Sequence, residues 1–158
     1  MDFIRLDPSD TVVTATRALE VGADVVGVAD TVGFAGPAQV GALCGRLERL
    51  CKDRAFIVHL HDTRGLGLSN ASAAIDNGCR VLDGALAGLG GCPFAPGATG
   101  NIVFEDLVFL TETKGIATGI DIPTLVEARE ILERELPDET LYGALARSGP
   151  PPNVNWAA

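Results

Sequence analysis

The two histidines of the sequence stand two residues apart, in Val58-His59-Leu60-His61-Asp62-Thr63. The apolar, β-branched run before them predicts a strand over residues 55–60, and on a strand positions i and i+2 project from one face. Both imidazoles then meet at the strand's C-terminal end, where parallel α/β folds carry their sites. Two neutral imidazoles so placed can chelate one divalent ion. Two hydrogen-bonded structural histidines are the competing interpretation. A pair on one face, at that end of a strand, favours the metal.

Two further segments carry groups of chemical interest. A short β-branched run over 25–29 ends at Asp30-Thr31, the equivalent place on the preceding strand. Asp30 can be a metal ligand, an acid or base, or a capping group. Capping is the less attractive choice, because Gly36-Pro37 already supplies a helix start. Downstream lies a long Gly/Pro-rich loop, residues 87–100, with Cys92 directly after Gly90-Gly91. Loops of that length are uncommon unless functional. A thiol there is a candidate acid, base or nucleophile. Asn101 follows the loop and precedes a predicted helix, as an N-cap would, or it offers its side-chain oxygen to a hard cation.

The elements that must position these groups alternate. A helix starting at Asp7-Pro8-Ser9-Asp10 stops at Gly22, and the strand ending at Asp30 follows. Val40, Leu43, Cys44, Leu47, Leu50 and Cys51 make an amphipathic helical stripe after Pro37. The histidine strand leads to a helix over 66–77 capped by Gly78, then a third strand over 80–85. Helices are predicted from about 102 to 115, from 123 to 136 and over 139–147. The order α-β-α-β-α-β-α-α-α implies a parallel sheet with right-handed crossovers. Residues 18–26 also echo residues 74–82: each ends a helix at a Gly and enters a strand. Three strands cannot close a (β/α)8 barrel, which needs roughly 250 residues. The choice between a small open α/β domain and part of a barrel is not made by composition.

The 158 residues carry a formal net charge of −9, with no cluster of Lys or Arg, so a nucleic-acid partner is not expected. No stretch is long and apolar enough to span a bilayer, and the first residues lack the regions of a signal peptide. A cytoplasmic location without membrane association is the resulting expectation. Of the four cysteines, Cys44, Cys51 and Cys79 fall on apolar stripes or strand starts and are expected to be buried free thiols.

His-x-His-Asp-Thr, then Gly88-Leu89-Gly90-Gly91-Cys92-Pro93-Phe94-Ala95 with Gly100-Asn101, then Glu105-Asp106-Leu107-Val108, closely resembles 3-hydroxy-3-methylglutaryl-CoA lyases. Ala29-Asp30-Thr31-Val32-Gly33 resembles the end of that family's sixth strand. The likeness runs from about residue 7 to 128. It implies the C-terminal portion of a (β/α)8 barrel, α/β in class, with strands six to eight and flanking helices over residues 1–148 and a Pro-rich tail over 149–158. It further implies that His59, His61 and Asn101 ligate Mg²⁺ or Mn²⁺. Cys92 would be a mobile-loop thiol acting in proton transfer. Asp30 would sit at the substrate's hydroxyl or carboxylate end, and Glu105 would be a supporting acid near the metal. The implied reaction is retro-Claisen cleavage of an acyl-CoA substrate, 3-hydroxy-3-methylglutaryl-CoA, to acetyl-CoA and acetoacetate. Related Claisen-condensing synthases and aldolases share the His-x-His strand but lack the Gly-Gly-Cys-Pro loop. The sequence departs from the family in holding no Arg-Asp pair of the kind the first strand carries, and in Arg64, where Tyr is common. The expected partner is therefore a complementing N-terminal half-barrel or further copies of the chain. Taken alone, the chain is expected to be weakly active or inactive, or a non-catalytic fragment.

Overall fold

The computed structural model describes residues 15–91, 97 and 100–152. Three parallel strands lie side by side in chain order: β1 (Val26–Asp30), β2 (Phe56–Leu60) and β3 (Val81–Leu82). Val26 pairs with Phe56 through to Asp30 with Leu60, and Ile57 and Val58 pair with Val81 and Leu82. A helical segment over residues 15–20 precedes β1. Helices α1 (Pro37–Cys51) and α2 (Gly67–Asp76) form the crossovers, and α3 (Phe104–Thr113), α4 (Ile122–Glu135) and α5 (Ala144–Ser148) follow. The alternation and the parallel pairing match the sequence expectation.

Helix α1 starts where Pro37 takes the first position after extended Gly36, and it buries Val40, Gly41, Cys44, Leu47 and Cys51. That is the stripe expected from the spacing. Helix α2 buries Asn70, Ala71, Ala74 and Ile75, and the Asp62 carboxylate takes the Gly67 N–H at its start, 2.7 Å away. The echo between 18–26 and 74–82 is geometric as well as lexical. Gly22 and Gly78 both have left-handed φ, +101° and +94°. In each case the next residue reaches back five positions, Ala23 N–H to Ala18 O and Cys79 N–H to Ala74 O. Both are Schellman closures, which aim the chain from a helix end into a strand.

The helices cover one face of the sheet. Phe56, Val58 and Leu60 of β2 are buried there against Cys44, Leu47, Ala71, Ala74 and Leu107. On the other face Gly27 and Ala29 are exposed, Val25 is 49% exposed and Val81 37% exposed. His59 shares that uncovered face with Ile57. β3 is much shorter than the predicted 80–85. Beyond Leu82 the backbone exchanges hydrogen bonds with another segment: Ala85 N–H to Ile102 O and Phe104 N–H to Ala85 O. A smaller cluster of Val108, Ile122 and Leu145 packs α3, α4 and α5 together. Among the described residues no helix is long and apolar enough to cross a membrane.

Candidate active site

The strand period brings the two imidazoles together. His59 Nε2 and His61 Nε2 are 3.2 Å apart, with the rings edge-on at 77°. Parallel stacked rings would point their nitrogens along separate lines; these converge. Two donors held cis around one ion at about 2.1 Å stand about 3 Å apart, so the observed spacing suits a shared divalent ion. Burial holds His61 below the ordinary imidazole pKa, and the neighbouring His59 adds to this; Asp30, the Gly100 carbonyl and Asp83 act in the opposite direction. The resulting neutral ring is the form that donates to a metal.

Asn101 joins this pair through the backbone. It forms an antiparallel bridge with His61, and Asp62 N–H donates to Gly100 O beside it. Its amide nitrogen donates to Leu89 O at 2.7 Å, and its Oδ1 is buried with no hydrogen-bond partner among the described residues. A buried amide oxygen with no protein partner, on a residue bridged to His61, is the kind of donor an octahedral site can recruit. The set of donors is uncharged. Among the described residues no group of three His, Cys, Asp or Glu side chains could hold an ion.

The other expected site residues are placed as follows. Both oxygens of Asp30 accept backbone N–H groups, from Phe34 at 2.9 Å and Ala35 at 3.0 Å. Asp30 thus does not cap α1, whose start is Gly36-Pro37 as expected, but holds the loop before it. The same loop is held by Arg64, which donates to Val32 O at 2.9 Å and lies over the Phe34 ring, and by Asn70, which donates to Ala35 O. Glu105 is fully buried. Its two oxygens accept the Ala87 N–H at 3.1 and 3.0 Å, and Arg129 lies 3.3 Å away. No hydrogen bond or ion pair joins it to either histidine among the described residues. Cys92 lies outside the described residues. The arms of its loop do not: Gly88 and Gly100 touch so closely that a Cβ on Gly100 would come 2.0 Å from Gly88 O.

Three residues not singled out from sequence matter here. Asp83, directly after β3, has Oδ1 2.7 Å from His59 Nδ1. Its sequence signal was its position, a strand-end acid like Asp30. Asp106 accepts the Ala144 and Leu145 N–H groups and so starts α5. Arg129 donates to Glu105, Glu133 and Tyr142 O, tying α4 to the turn at Ala87.

The HMGL-like family profile matches residues 1–132. The chain is 44% identical over 136 residues to an (R)-citramalyl-CoA lyase of Chloroflexus aurantiacus, covering 86% of the chain and 43% of that protein. It is 37% identical over 130 residues to a hydroxymethylglutaryl-CoA lyase of Bacillus subtilis, covering 82% and 44% respectively. The fold superposes on an HMG-CoA lyase from Acinetobacter baumannii in complex with coenzyme A and 3-methylmalate. The TM-score is 0.84 at 38% identity, with 93% of this chain and 48% of that one covered. The three parallel strands and their helices are thus part of a (β/α)8 barrel, and the chain spans less than half the length of the curated relatives it matches.

Proposed function

Because the chain belongs to the HMGL-like family, we propose that it supplies the C-terminal part of a divalent-metal-dependent carbon–carbon lyase acting on a branched 3-hydroxyacyl-CoA. The observation that carries this is the 3.2 Å convergence of His59 and His61, with Asn101 bridged to His61. His59 Nε2, His61 Nε2 and Asn101 Oδ1 would hold Mg²⁺ or Mn²⁺. When bound, such an ion polarises the hydroxyl and carbonyl oxygens of a chelating substrate.

In the reaction a base of the completed site takes the proton of the C3 hydroxyl, which becomes a carbonyl, while the C2–C3 bond breaks toward C2. The electron pair forms the enolate of acetyl-CoA, which takes up a proton. Cys92 delivers that proton; its role rests on the Gly-Gly-Cys-Pro motif. Asp30 holds the β1–α1 loop through two amides and so shapes the substrate's hydroxyl or carboxylate end. Glu105 supports the site from behind by fixing the turn at Ala87, where the Cys92 loop begins. Residues 1–148 belong to the barrel in this scheme, and the Pro-rich 149–158 lie outside it.

Relatives named for two substrates define the class. 3-Hydroxy-3-methylglutaryl-CoA and citramalyl-CoA both carry a hydroxyl and a methyl on C3 of a thioester, and they differ in the distance to the free carboxylate. The uncovered sheet face and its edges call for the remaining strands, so turnover requires a complementing N-terminal half-barrel. The test is acetyl-CoA release from each thioester with Mn²⁺, by the chain alone and with strands one to five supplied. Release only in the complemented sample, lost with His61→Ala and Cys92→Ser, is expected. Condensation of acetyl-CoA with an oxo acid, without measurable cleavage, would instead favour a synthase. No turnover of either kind by the complemented protein would overturn the proposal.

A further inference from the structure

His59 does not stand alone at the sheet's uncovered face. The register that sets Ile57 against Val81 brings Asp83 opposite His59, and the 2.7 Å contact between Asp83 Oδ1 and His59 Nδ1 follows from it. A carboxylate only accepts, so Nδ1 must carry the proton. A neutral ring then has its lone pair on Nε2, the atom that faces His61. We propose that Asp83 is a positioning residue, which fixes the tautomer and orientation of His59 so that its Nε2 lone pair is presented to a divalent ion.

The inference rests on the metal site proposed above, but its central claim concerns the ion-free protein. The partner of one ring nitrogen decides which form the other takes. Without Asp83 no other described residue bonds Nδ1, and the proton can sit on either nitrogen. An Nε2–H ring cannot donate to a cation, so part of the population would be unable to bind. The Asp83 side chain is 56% exposed and makes no other hydrogen bond or ion pair among the described residues, so its role in packing is small.

The experiment compares wild type, Asp83→Ala and Asp83→Asn in the full chain. Long-range ¹H–¹⁵N spectra of the metal-free protein read the protonation of each ring nitrogen, and electron paramagnetic resonance reads Mn²⁺ binding. Wild type should show His59 as the Nδ1–H form. Asp83→Ala should lose that preference and bind Mn²⁺ about 10–100-fold more weakly, the usual cost of removing such a partner. Asp83→Asn retains an accepting oxygen and should keep the tautomer and recover much of the affinity. An unchanged His59 tautomer in Asp83→Ala overturns the proposal, whether or not affinity falls, because any fall would then be a charge effect. If wild type takes up no Mn²⁺, the metal reading and the affinity half of this proposal both fall. The tautomer spectra still decide whether Asp83 sets the ring.

Discussion

Replacing Glu105 separates a core function from a role at the ion. Its carboxylate is fully buried, accepts one N–H with both oxygens and faces a guanidinium that is 10% exposed. Glu105→Ala leaves the Ala87 N–H unpaired, at about 1–3 kcal/mol. It also breaks a buried ion pair, and breaking such a pair from one side costs about 3–5 kcal/mol in all. Arg129 keeps Tyr142 O and the more exposed Glu133, which places the expected loss near the lower end. Against a total stability of about 5–15 kcal/mol, that is a large fraction. With a urea dependence of about 2 kcal/mol per molar, the midpoint should fall by about 1.5 M or more. Glu105→Gln keeps an acceptor for Ala87 and should lose about half as much. The assay is urea denaturation followed by circular dichroism, paired with Mn²⁺ titration of each folded variant. Mn²⁺ affinity should stay within about twofold of wild type in Glu105→Gln. A midpoint shift below about 0.5 M in Glu105→Ala, or loss of Mn²⁺ binding in folded Glu105→Gln, would refute the core assignment.

The three buried thiols should resist alkylation. Burial pushes Cys44 up to about 12 and raises Cys51 and Cys79 as well, so at pH 8 all three are neutral and covered. Mass spectrometry after brief iodoacetamide treatment should find them unmodified in native protein and modified in urea; native labelling of Cys44 would contradict this. Gly100→Ala should destabilise the fold by more than about 2 kcal/mol, since it combines positive φ with a collision against Gly88 O, while Gly65→Ala, positive in φ but open in space, should cost about 1 kcal/mol. Equal melting temperatures for the two variants would disprove the close approach of the loop arms. Asp121 caps α4 by accepting the Thr124 N–H at 2.8 Å, and hydrogen bonding from the Thr124 side chain, then from this N–H, holds its carboxyl below the usual range. A depressed folded pKa stabilises above the unfolded pKa, and the gain disappears as pH falls through the folded value. Asp121→Ala should therefore melt lower than wild type at pH 7 and approach it below the ordinary aspartate range; a constant difference down to pH 2 would refute the capping assignment.

Much of the architecture was readable because it rests on local rules. The α1 stripe, the Pro37 start and the Gly22 and Gly78 stops each depend on residues within one or two turns, and the structure holds each where it was expected. The length of β3 was not readable for the opposite reason. Residues 83–85, Asp-Gly-Ala, are poor strand formers, and both backbone groups of Ala85 are taken by Ile102 and Phe104, a competition invisible to any short window. The extended arm still reaches the right place, since it delivers Asp83 to His59.

The same distinction explains the site. His59 and His61 were legible because a period of two is a local rule, and their meeting required only that the strand form. Asn101 was ambiguous from sequence between an N-cap and a metal donor. The structure shows no cap bond from it, since its amide donates to Leu89 O and its oxygen has no partner among the described residues. The acids divide differently. Asp30, Asp62, Asp83, Glu105 and Asp106 look alike in a sequence, and each is defined by whichever donor the fold brings to it. Four of them accept backbone N–H groups: Asp30 in its own loop, Asp62 at the start of α2, Glu105 from Ala87 and Asp106 from α5. Asp83 alone among these five meets an imidazole. An acid at a strand's C-terminal end in this fold is thus as apt to fix the loops that shape the site as to touch a substrate. The one most closely coupled to chemistry is the one whose partner is itself a candidate metal ligand.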